Sequence, residues 1–399
     1  MKLIINLAIY FALGAMLLSC RKPYNAPVTS ADYAYLVVEG VINSGSDSTT
    51  ITLSRTVPIG APGTHRPETG AKVVIESDGN ATYPLRERDS GKYVTANLNL
   101  PTTNKYRLHI ITASGKEYES DFVENKITPP IDTVTHSYLP HGVQFYVNAH
   151  DPSKKTRYYR WEYHEYWSYT SNYFTVLQYK DSAVIGLPVD SDYFYCYRNA
   201  TPANGIYFST SDKLSQDIIT HKPLNYVEGR SGKLVREYAL EVVQFAITKE
   251  AYTYWQQLKT NTEQLGSIFD AQPSSFITNI HCISNPAESV IGYISVSTST
   301  LKRDFVSQAD VPFAVLPVIG PLALDTPTCH PYDTIAFAPL STLPGRLAQL
   351  FSGGKYAPFD FYYRPPTKPV GYKYAEIGCV DCRKLGGTNK KPMWWPWPN

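Results

Sequence analysis

One stretch, residues 157–169 with the sequence RYYRWEYHEYWSY, indicates the fold class most strongly. Aromatic and charged side chains alternate along it, and the aromatic face carries Tyr159, Trp161 and Tyr163. A period of two is typical of a β-strand with one buried face, because successive side chains of a strand point to opposite sides. The stretch therefore predicts β structure, and similar alternation recurs on both sides of it.

The composition agrees with a β protein and excludes several other classes. The chain has 399 residues, 43% of them hydrophobic, a formal net charge of +2 and 32 tyrosines. Tyr favours pleated, half-buried surfaces. The near-neutral charge argues against a nucleic-acid partner, which needs a strong basic field, and the hydrophobic fraction is too high for a disordered chain.

Residues 33–127 carry seven strand candidates separated by turn residues at even spacing. We expect an immunoglobulin-like antiparallel β-sandwich there. The candidates are 35–42, 49–54, 71–76, 81–86, 92–98, 105–112 and 117–123. Pro129 and Pro130 mark the end of this domain, because proline cannot continue a central strand.

Residues 131–399 are predicted to form a second, larger β-rich domain with one clear α-helix at about 249–265. Thr248 is the expected N-cap, and Tyr252, Trp255 and Leu258 recur at helical spacing. Gly266 is the expected terminator. The predicted fold class is therefore mostly β: a sandwich, then a β-rich domain with an inserted helix.

The first nineteen residues are predicted to be a signal peptide. Lys2 is followed by an apolar run to Leu18, which is shorter than the roughly 20 residues that a membrane span needs. Leu17-Leu18-Ser19-Cys20 resembles the lipobox of bacterial lipoproteins, in which the cysteine is acylated and becomes the first residue. We expect lipid on Cys20 and a tether over 20–32. Two locations are compatible with the sequence, the periplasmic face and the surface face of the outer membrane.

Five further cysteines follow Cys20 in the chain. They are Cys196, Cys282, Cys329, Cys379 and Cys382. Disulfides are expected in an exported protein, and an odd number leaves at least one thiol unpaired. The Cys379-x-x-Cys382 pair either closes on itself or joins the tail to the domain through Cys329 or Cys196. The Cys379-x-x-Cys382 spacing is one half of a common zinc-binding pattern, but the second half is missing from the sequence. Neither a metal nor a cofactor is therefore expected.

The motifs of common enzymes are missing from the sequence. There is no Gly-x-Ser-x-Gly motif of the kind that holds a nucleophilic serine. A partial phosphate-loop pattern occurs at Gly229-Arg230-Ser231-Gly232-Lys233, but the remaining residues of that motif are missing. This segment is predicted to be a hairpin turn. We expect a non-catalytic protein.

The aromatic strand also suggests a binding surface. Aromatic or charged residues lie on both of its faces, so some of its rings should be exposed for stacking on sugars or for protein contact. The candidate residues are Tyr163, Tyr166, Trp167 and Tyr169.

Several collinear motifs together resemble one family, the "domain of unknown function 4249" lipoproteins of Bacteroidota. The motifs are LVVEG at 36–40, AYTYWQQL at 251–258, FDAQP at 269–273 and CVDCRKLGGTNKKP at 379–392. The resemblance implies a cell-envelope lipoprotein with no assigned activity, often encoded beside TonB-dependent outer-membrane receptors, and it supplies no catalytic residues. We therefore expect an accessory or binding subunit for such a receptor; the alternative is a stand-alone surface glycan-binding or adhesion module.

Overall fold

The computed structural model describes residues 34–57, 66–188, 191–202, 205–263, 277–313, 315, 329, 332–364 and 368–397. The predicted signal peptide, Cys20, the tether, Gly266 and the 269–273 motif lie outside these residues. The described chain forms a first β-sandwich, a second β-sandwich and a smaller C-terminal unit.

The strands and helices have the following bounds in chain order. The strands are β1 (Leu36–Asn43), β2 (Thr49–Arg55), β3 (Arg66–Pro67), β4 (Lys72–Ser77), β5 (Thr82–Asp89), β6 (Lys92–Thr95), β7 (Lys105–Ile111), β8 (Glu117–Ser120), β9 (Val123–Lys126), β10 (Ile131–Leu139), β11 (Gly142–His150), β12 (Tyr158–Thr170), β13 (Leu177–Lys180), β14 (Ala183–Gly186), β15 (Tyr195–Ala200), β16 (Tyr207–Thr210), β17 (Ile218–Glu228), β18 (Glu237–Ala246), β19 (Ile280–Cys282), β20 (Val290–Gly292), β21 (Ser295–Ser297), β22 (Ser299–Ser307), β23 (Asp333–Ala336), β24 (Tyr356–Arg364) and β25 (Lys368–Glu376). The α-helices are α1 (Lys249–Glu263), α2 (Leu343–Phe351) and α3 (Ile377–Val380).

The first sandwich has two layers that share strand β5. One layer runs β19-β8-β7-β4-β5 and the other runs β6-β2-β1-β21-β9, with β5 pairing to β6 and β9 pairing back to β7. Its core is made by alternate apolar residues from both layers, including Leu36, Ile51, Ile75, Leu108 and Tyr118. All seven predicted strands of this region are present.

The first sandwich is not completed within residues 33–127, which differs from the predicted domain boundary. Strands β20 and β21 pair in parallel with β1, and β19 pairs with β8. Ile280, Val290 and Val296 are buried in the first core. Local strand patterns identify strands but not their partners, so the sequence assigned these residues to the second domain.

In the second sandwich, a sheet of β10-β11-β17 packs on a sheet of β15-β12-β18-β22. A further strand of the second sheet, β16, pairs with β12. Phe145 and Val147 of the first sheet share one core with Trp161, Leu240 and other residues of the second. Tyr159, Trp161 and Tyr163 of β12 all point into this core, as the alternation predicts. The 229–233 segment connects β17 to β18, which lie in different sheets, so it is a crossover turn and not the predicted hairpin.

Helix α1 lies between the two sandwiches. The hydroxyl of Thr248 accepts a hydrogen bond from the Ala251 N–H at 3.2 Å, which confirms the predicted N-cap. Ala251 and Tyr254 are buried against Phe245 of the second sandwich and Tyr293 of the first. None of the helices in the described part of the chain is long and apolar enough to cross a membrane.

The C-terminal unit consists of the sheet β23-β25-β24, the hairpin β13–β14 and helices α2 and α3. The tail then returns to the second sandwich, where the backbones of Tyr197 and Thr388 exchange two hydrogen bonds of 2.7 and 3.0 Å. This return places Trp394, Trp395 and Trp397 on the outer face of the sheet that contains β12.

Candidate functional site

The first residue of the predicted aromatic surface, Tyr163, lies inside the second sandwich and is 5% exposed. Its hydroxyl donates to Asn225 Oδ1 at 3.0 Å and lies 3.1 Å from the hydroxyl of Tyr207. Burial, and then the hydrogen bond with Tyr207, raise the pKa of Tyr163 far above its ordinary value. Tyr163 is a core residue, and the expectation that it is exposed is wrong.

The same region of the core contains a buried carboxylate, Glu165. Its oxygens accept hydrogen bonds from Tyr238 at 2.8 Å, from Asn225 at 3.0 Å and from the Lys233 ammonium at 2.6 Å. An ion pair with Lys233 and two further hydrogen bonds satisfy the charge that burial would otherwise penalise. Through Asn225, the network joins β17 of one sheet to β12 and β18 of the other, and both Glu165 oxygens are occupied by these partners.

Tyr166 points out of the second sandwich, but the C-terminal tail covers it. The rings of Tyr166 and Trp394 meet edge to face with centroids 4.8 Å apart. The guanidinium of Arg303 lies 4.2 Å from the Trp394 centroid, and Trp395 packs on Tyr197 at 5.5 Å. The tail tryptophans therefore cover the outer face of the sheet.

Trp167 and Tyr169 are also covered. The Lys233 ammonium lies 5.2 Å from the Trp167 ring, and the Tyr169 hydroxyl donates to the Cys382 carbonyl at 2.8 Å. The four predicted residues thus form no exposed aromatic platform. Tyr163 points into the core, and the tail covers Tyr166 and Tyr169. The tail comes from more than two hundred residues later in the chain, so the local pattern could not reveal it.

Two disulfides hold the tail and the C-terminal unit. Cys196 bonds to Cys382, and Cys329 bonds to Cys379, each with a Cα–Cα distance of 5.8 Å. The sequence left two alternatives: a bond between Cys379 and Cys382, or bonds from these two cysteines to Cys329 or Cys196. The structure confirms the second alternative. Cys282 is the unpaired thiol among the described residues, and it is buried in the first sandwich.

An open apolar surface does exist, on the hairpin β13–β14. Phe174, Val176 and Ile185 are 62%, 49% and 42% exposed. Ile185 pairs with Gln178 across the hairpin, and the Leu187 N–H donates to the Val176 carbonyl at 2.7 Å, which extends the pairing to Val176. The alternation of Phe174 and Val176 was the available signal in the sequence, but it did not show which face is covered.

Aromatic and basic residues extend this surface. Phe174 contacts Phe194 edge to face at 5.6 Å, and Phe194 contacts Tyr195 at 4.9 Å. The Arg236 guanidinium lies 4.7 Å from the Tyr195 ring. We call this surface the hairpin patch: Phe174, Val176, Ile185, Phe194, Tyr195 and Arg236.

One group of side chains in the first sandwich has the composition of a metal site: Glu76, His109 and Glu119. Arg107 already bonds Glu119 at 2.6 Å and Glu76 at 2.8 Å, and His109 bonds Glu76 and Glu117 at 2.9 and 2.7 Å. Partial burial alone would lower the pKa of His109, but the bonds to Glu76 and Glu117 outweigh it and raise the pKa. The group is a compensated ion-pair network, because its carboxylates already have cationic partners.

These features define a mostly β, disulfide-bonded protein of two sandwiches with a covered aromatic face and an open hairpin patch. The chain belongs to the family described as a domain of unknown function, DUF4249, whose model matches residues 21–303. The matched part includes the first sandwich, the second sandwich as far as the middle of β22, and the hairpin β13–β14; the rest of the C-terminal unit, with the 379–392 motif, lies beyond it.

Other comparisons add little. A comparison with curated proteins finds no match. Among solved structures, a two-domain fibronectin type III segment of chicken tenascin is similar over 52% of this chain and 88% of that chain, with 11% identity and a TM-score of 0.14. The sandwich architecture therefore rests on the strand pairing described above.

Proposed function

We propose that this protein is an outer-membrane lipoprotein, anchored through Cys20, that serves as a non-catalytic accessory subunit of a TonB-dependent receptor. The lipobox at residues 17–20 supports the anchor. The two disulfides support an oxidising compartment, because such bonds persist mainly in exported proteins.

The observation that carries the binding role is the hairpin patch. Grouped exposed apolar side chains often mark interaction sites, and interface cores are enriched in aromatic residues and arginine. The patch combines three exposed apolar side chains with Tyr195 beneath Arg236. A lipid anchor confines the protein to the membrane surface, so a membrane receptor is the partner that the patch can meet most often.

Site-specific photo-cross-linking in native cells tests this proposal. A cross-linker replaces Val176 in the patch, and the matched control replaces Leu214, which is 54% exposed in a loop of the second sandwich. The proposal predicts one cross-linked outer-membrane receptor from position 176 and none from position 214. Cross-links from position 176 to no receptor, or equally from both positions, would contradict it.

A second candidate function, glycan binding, is favoured by a row of aromatic residues on the C-terminal sheet. Successive ring centroids of Phe337, Tyr372, Phe361 and Tyr363 are 4.8, 5.5 and 6.3 Å apart. Tyr363 is 50% exposed, and such rings can stack on sugars. A glycan array would show binding that Tyr363→Ala removes and that Tyr226→Ala, at another exposed tyrosine, preserves. An array without binding removes this candidate.

A further inference from the structure

A cleft of about 510 Å³ opens between the two sandwiches beside the start of helix α1. Its volume lies within the range of small-molecule sites in proteins. Both sandwiches and the helix contribute to its walls, and neither the anchor nor the hairpin patch is part of it.

The basic side chains of this cleft outnumber the acidic ones. Five line it: Lys105 and Lys126 from the first sandwich, Lys155 and Arg157 from the second, and Lys249 from the helix. The acidic side chains are Asp121, Glu124 and Glu250.

Two of the three carboxylates already have partners. Lys126 bonds Glu124 at 2.8 Å, and Lys105 also lies close enough to contribute to the lowered pKa of Glu124, after Lys126. Asp121 lies 3.2 Å from the His281 ring nitrogen. Among the described residues, Glu250 is therefore the one lining carboxylate without an ion-pair partner.

Most of the basic groups have no such partner. Within the described part of the chain, Lys155 and Lys249 form no ion pair, and Arg157 bonds a backbone oxygen of Ser211 at 3.4 Å. Lys155 and Arg157 come from the segment before β12, Lys249 is the first residue of helix α1, and all three line the cleft. An excess of positive charge in a concave site concentrates anions from solution.

Part of the inner wall of the cleft is an apolar wall. Val123, Ile247 and Tyr293 form it and are buried, beside the buried polar residues Thr156 and Asn279. A charged rim above an apolar wall matches a molecule with an anionic group on a ring that has a hydrophobic face. It does not match a bare inorganic ion, which gains nothing from the apolar wall.

We propose that the cleft between the sandwiches binds a small organic anion, with a carboxylate or a phosphate on a sugar-sized ring. Lys155, Arg157 and Lys249 hold the anionic group, and Tyr293 and Ile247 contact the ring. The site is independent of receptor docking at the hairpin patch.

Calorimetric titration of the full lipidated chain in detergent micelles tests the proposal with three probes. Galacturonate carries a carboxylate, glucose 6-phosphate carries a phosphate, and galactose is neutral. We expect at least one anion to bind, with an affinity that falls as salt is raised, and galactose to bind at least tenfold more weakly. The tighter of the two anions identifies which anionic group the site prefers.

A charge-reversal variant and a matched control complete the test. Lys155→Glu with Lys249→Glu reverses two exposed charges of the rim and should weaken anion binding at least tenfold. Lys92→Glu with Lys213→Glu makes the same change at exposed positions outside the cleft and should leave binding unchanged. Absence of binding by both anions, equal binding of galactose, or unchanged binding by the rim variant would overturn the proposal.

Discussion

Thr128 and Thr298 are hydrogen-bonded to each other at the point where the chain passes between the two sandwiches. The Thr128 N–H donates to Thr298 Oγ1 at 2.8 Å, and the Thr128 hydroxyl donates to the Thr298 carbonyl. The Thr128 hydroxyl oxygen also accepts from the Ala246 N–H at 2.9 Å. Both segments lead from the first sandwich to the second, and these bonds join them to each other and to β18 beside the cleft, which Lys126 and Ala246 line.

The return of residues 280–297 to the first sandwich can be tested at Gly292. Its φ is +143°, and a Cβ there would lie 2.2 Å from the Val38 carbonyl oxygen. We expect Gly292→Ala to break the pairing of β20 with β1 and to lower the free energy of unfolding by about 2 kcal/mol or more. Urea unfolding measures the loss. Gly186→Ala is the control, since nothing lies within 4 Å of its Cβ; equal stability of both variants would refute the assigned pairing.

The disulfide pattern predicts a definite thiol count. Denatured mature protein should show one reactive thiol, from Cys282, before reduction and five afterwards, since acylation removes the thiol of Cys20. Peptide mapping by mass spectrometry should recover Cys196 linked to Cys382 and Cys329 linked to Cys379. Each bond should contribute about 2–4 kcal/mol to stability. A bridge between Cys379 and Cys382 would contradict this arrangement.

The packing of the tail on the outer face of the sheet predicts that Trp394 contributes strongly to stability. Trp394→Ala removes the contacts with Tyr166 and Phe305 and the cation–π contact with Arg303. We expect a loss of about 2 kcal/mol in the free energy of unfolding. The neighbouring Met393 is fully exposed, so Met393→Ala should change nothing. If the two variants are equally stable, the tail does not pack on β12.

The ion-pair network of the first sandwich predicts a pH dependence. The pKa of His109 is raised in the folded state, because its bonds to Glu76 and Glu117 outweigh the opposing effect of burial. Its contribution to stability is therefore complete below the unfolded pKa of about 6.5 and is lost as pH rises through the raised value. His109→Gln should be less stable than the wild type by about 1 kcal/mol at pH 6, with a smaller gap at pH 9.

The control for this prediction is His150, whose pair with Asp132 is more exposed. Exposed ion pairs contribute little, so His150→Gln should change stability slightly at both pH values. A gap for His109→Gln that stays constant or grows with pH would show that His109 is not held as imidazolium.

The sequence predicts local structure well in this chain. The period of two in β12 identifies Tyr159, Trp161 and Tyr163 as one face, and the spacing of Tyr252, Trp255 and Leu258 identifies helix α1. Both predictions depend only on the spacing of residues within one strand or helix and on the core that its apolar face contacts. The seven strands of residues 33–127 are found for the same reason.

Long-range contacts could not be predicted from the same patterns. The pairing of Val38 with Gly292 and the contact of Tyr166 with Trp394 join residues more than two hundred positions apart. An outward-facing aromatic residue has the same local pattern whether solvent or a distant tail covers it. The prediction that Tyr166 is exposed is wrong for this reason, whereas Tyr163 lies in the core; the open hairpin patch was not predicted.

The measurement that tests the central claim most directly is purification of the tagged chain from native membranes, followed by quantitative mass spectrometry of its partners. The account predicts that one TonB-dependent receptor is enriched with the wild type and lost with the Phe174→Ser, Ile185→Ser pair, which alters two exposed side chains of the hairpin patch. Leu214→Ser, at an exposed apolar residue elsewhere, should retain the receptor. Recovery of no receptor at any detergent strength, or equal recovery with the patch variant, would contradict the account.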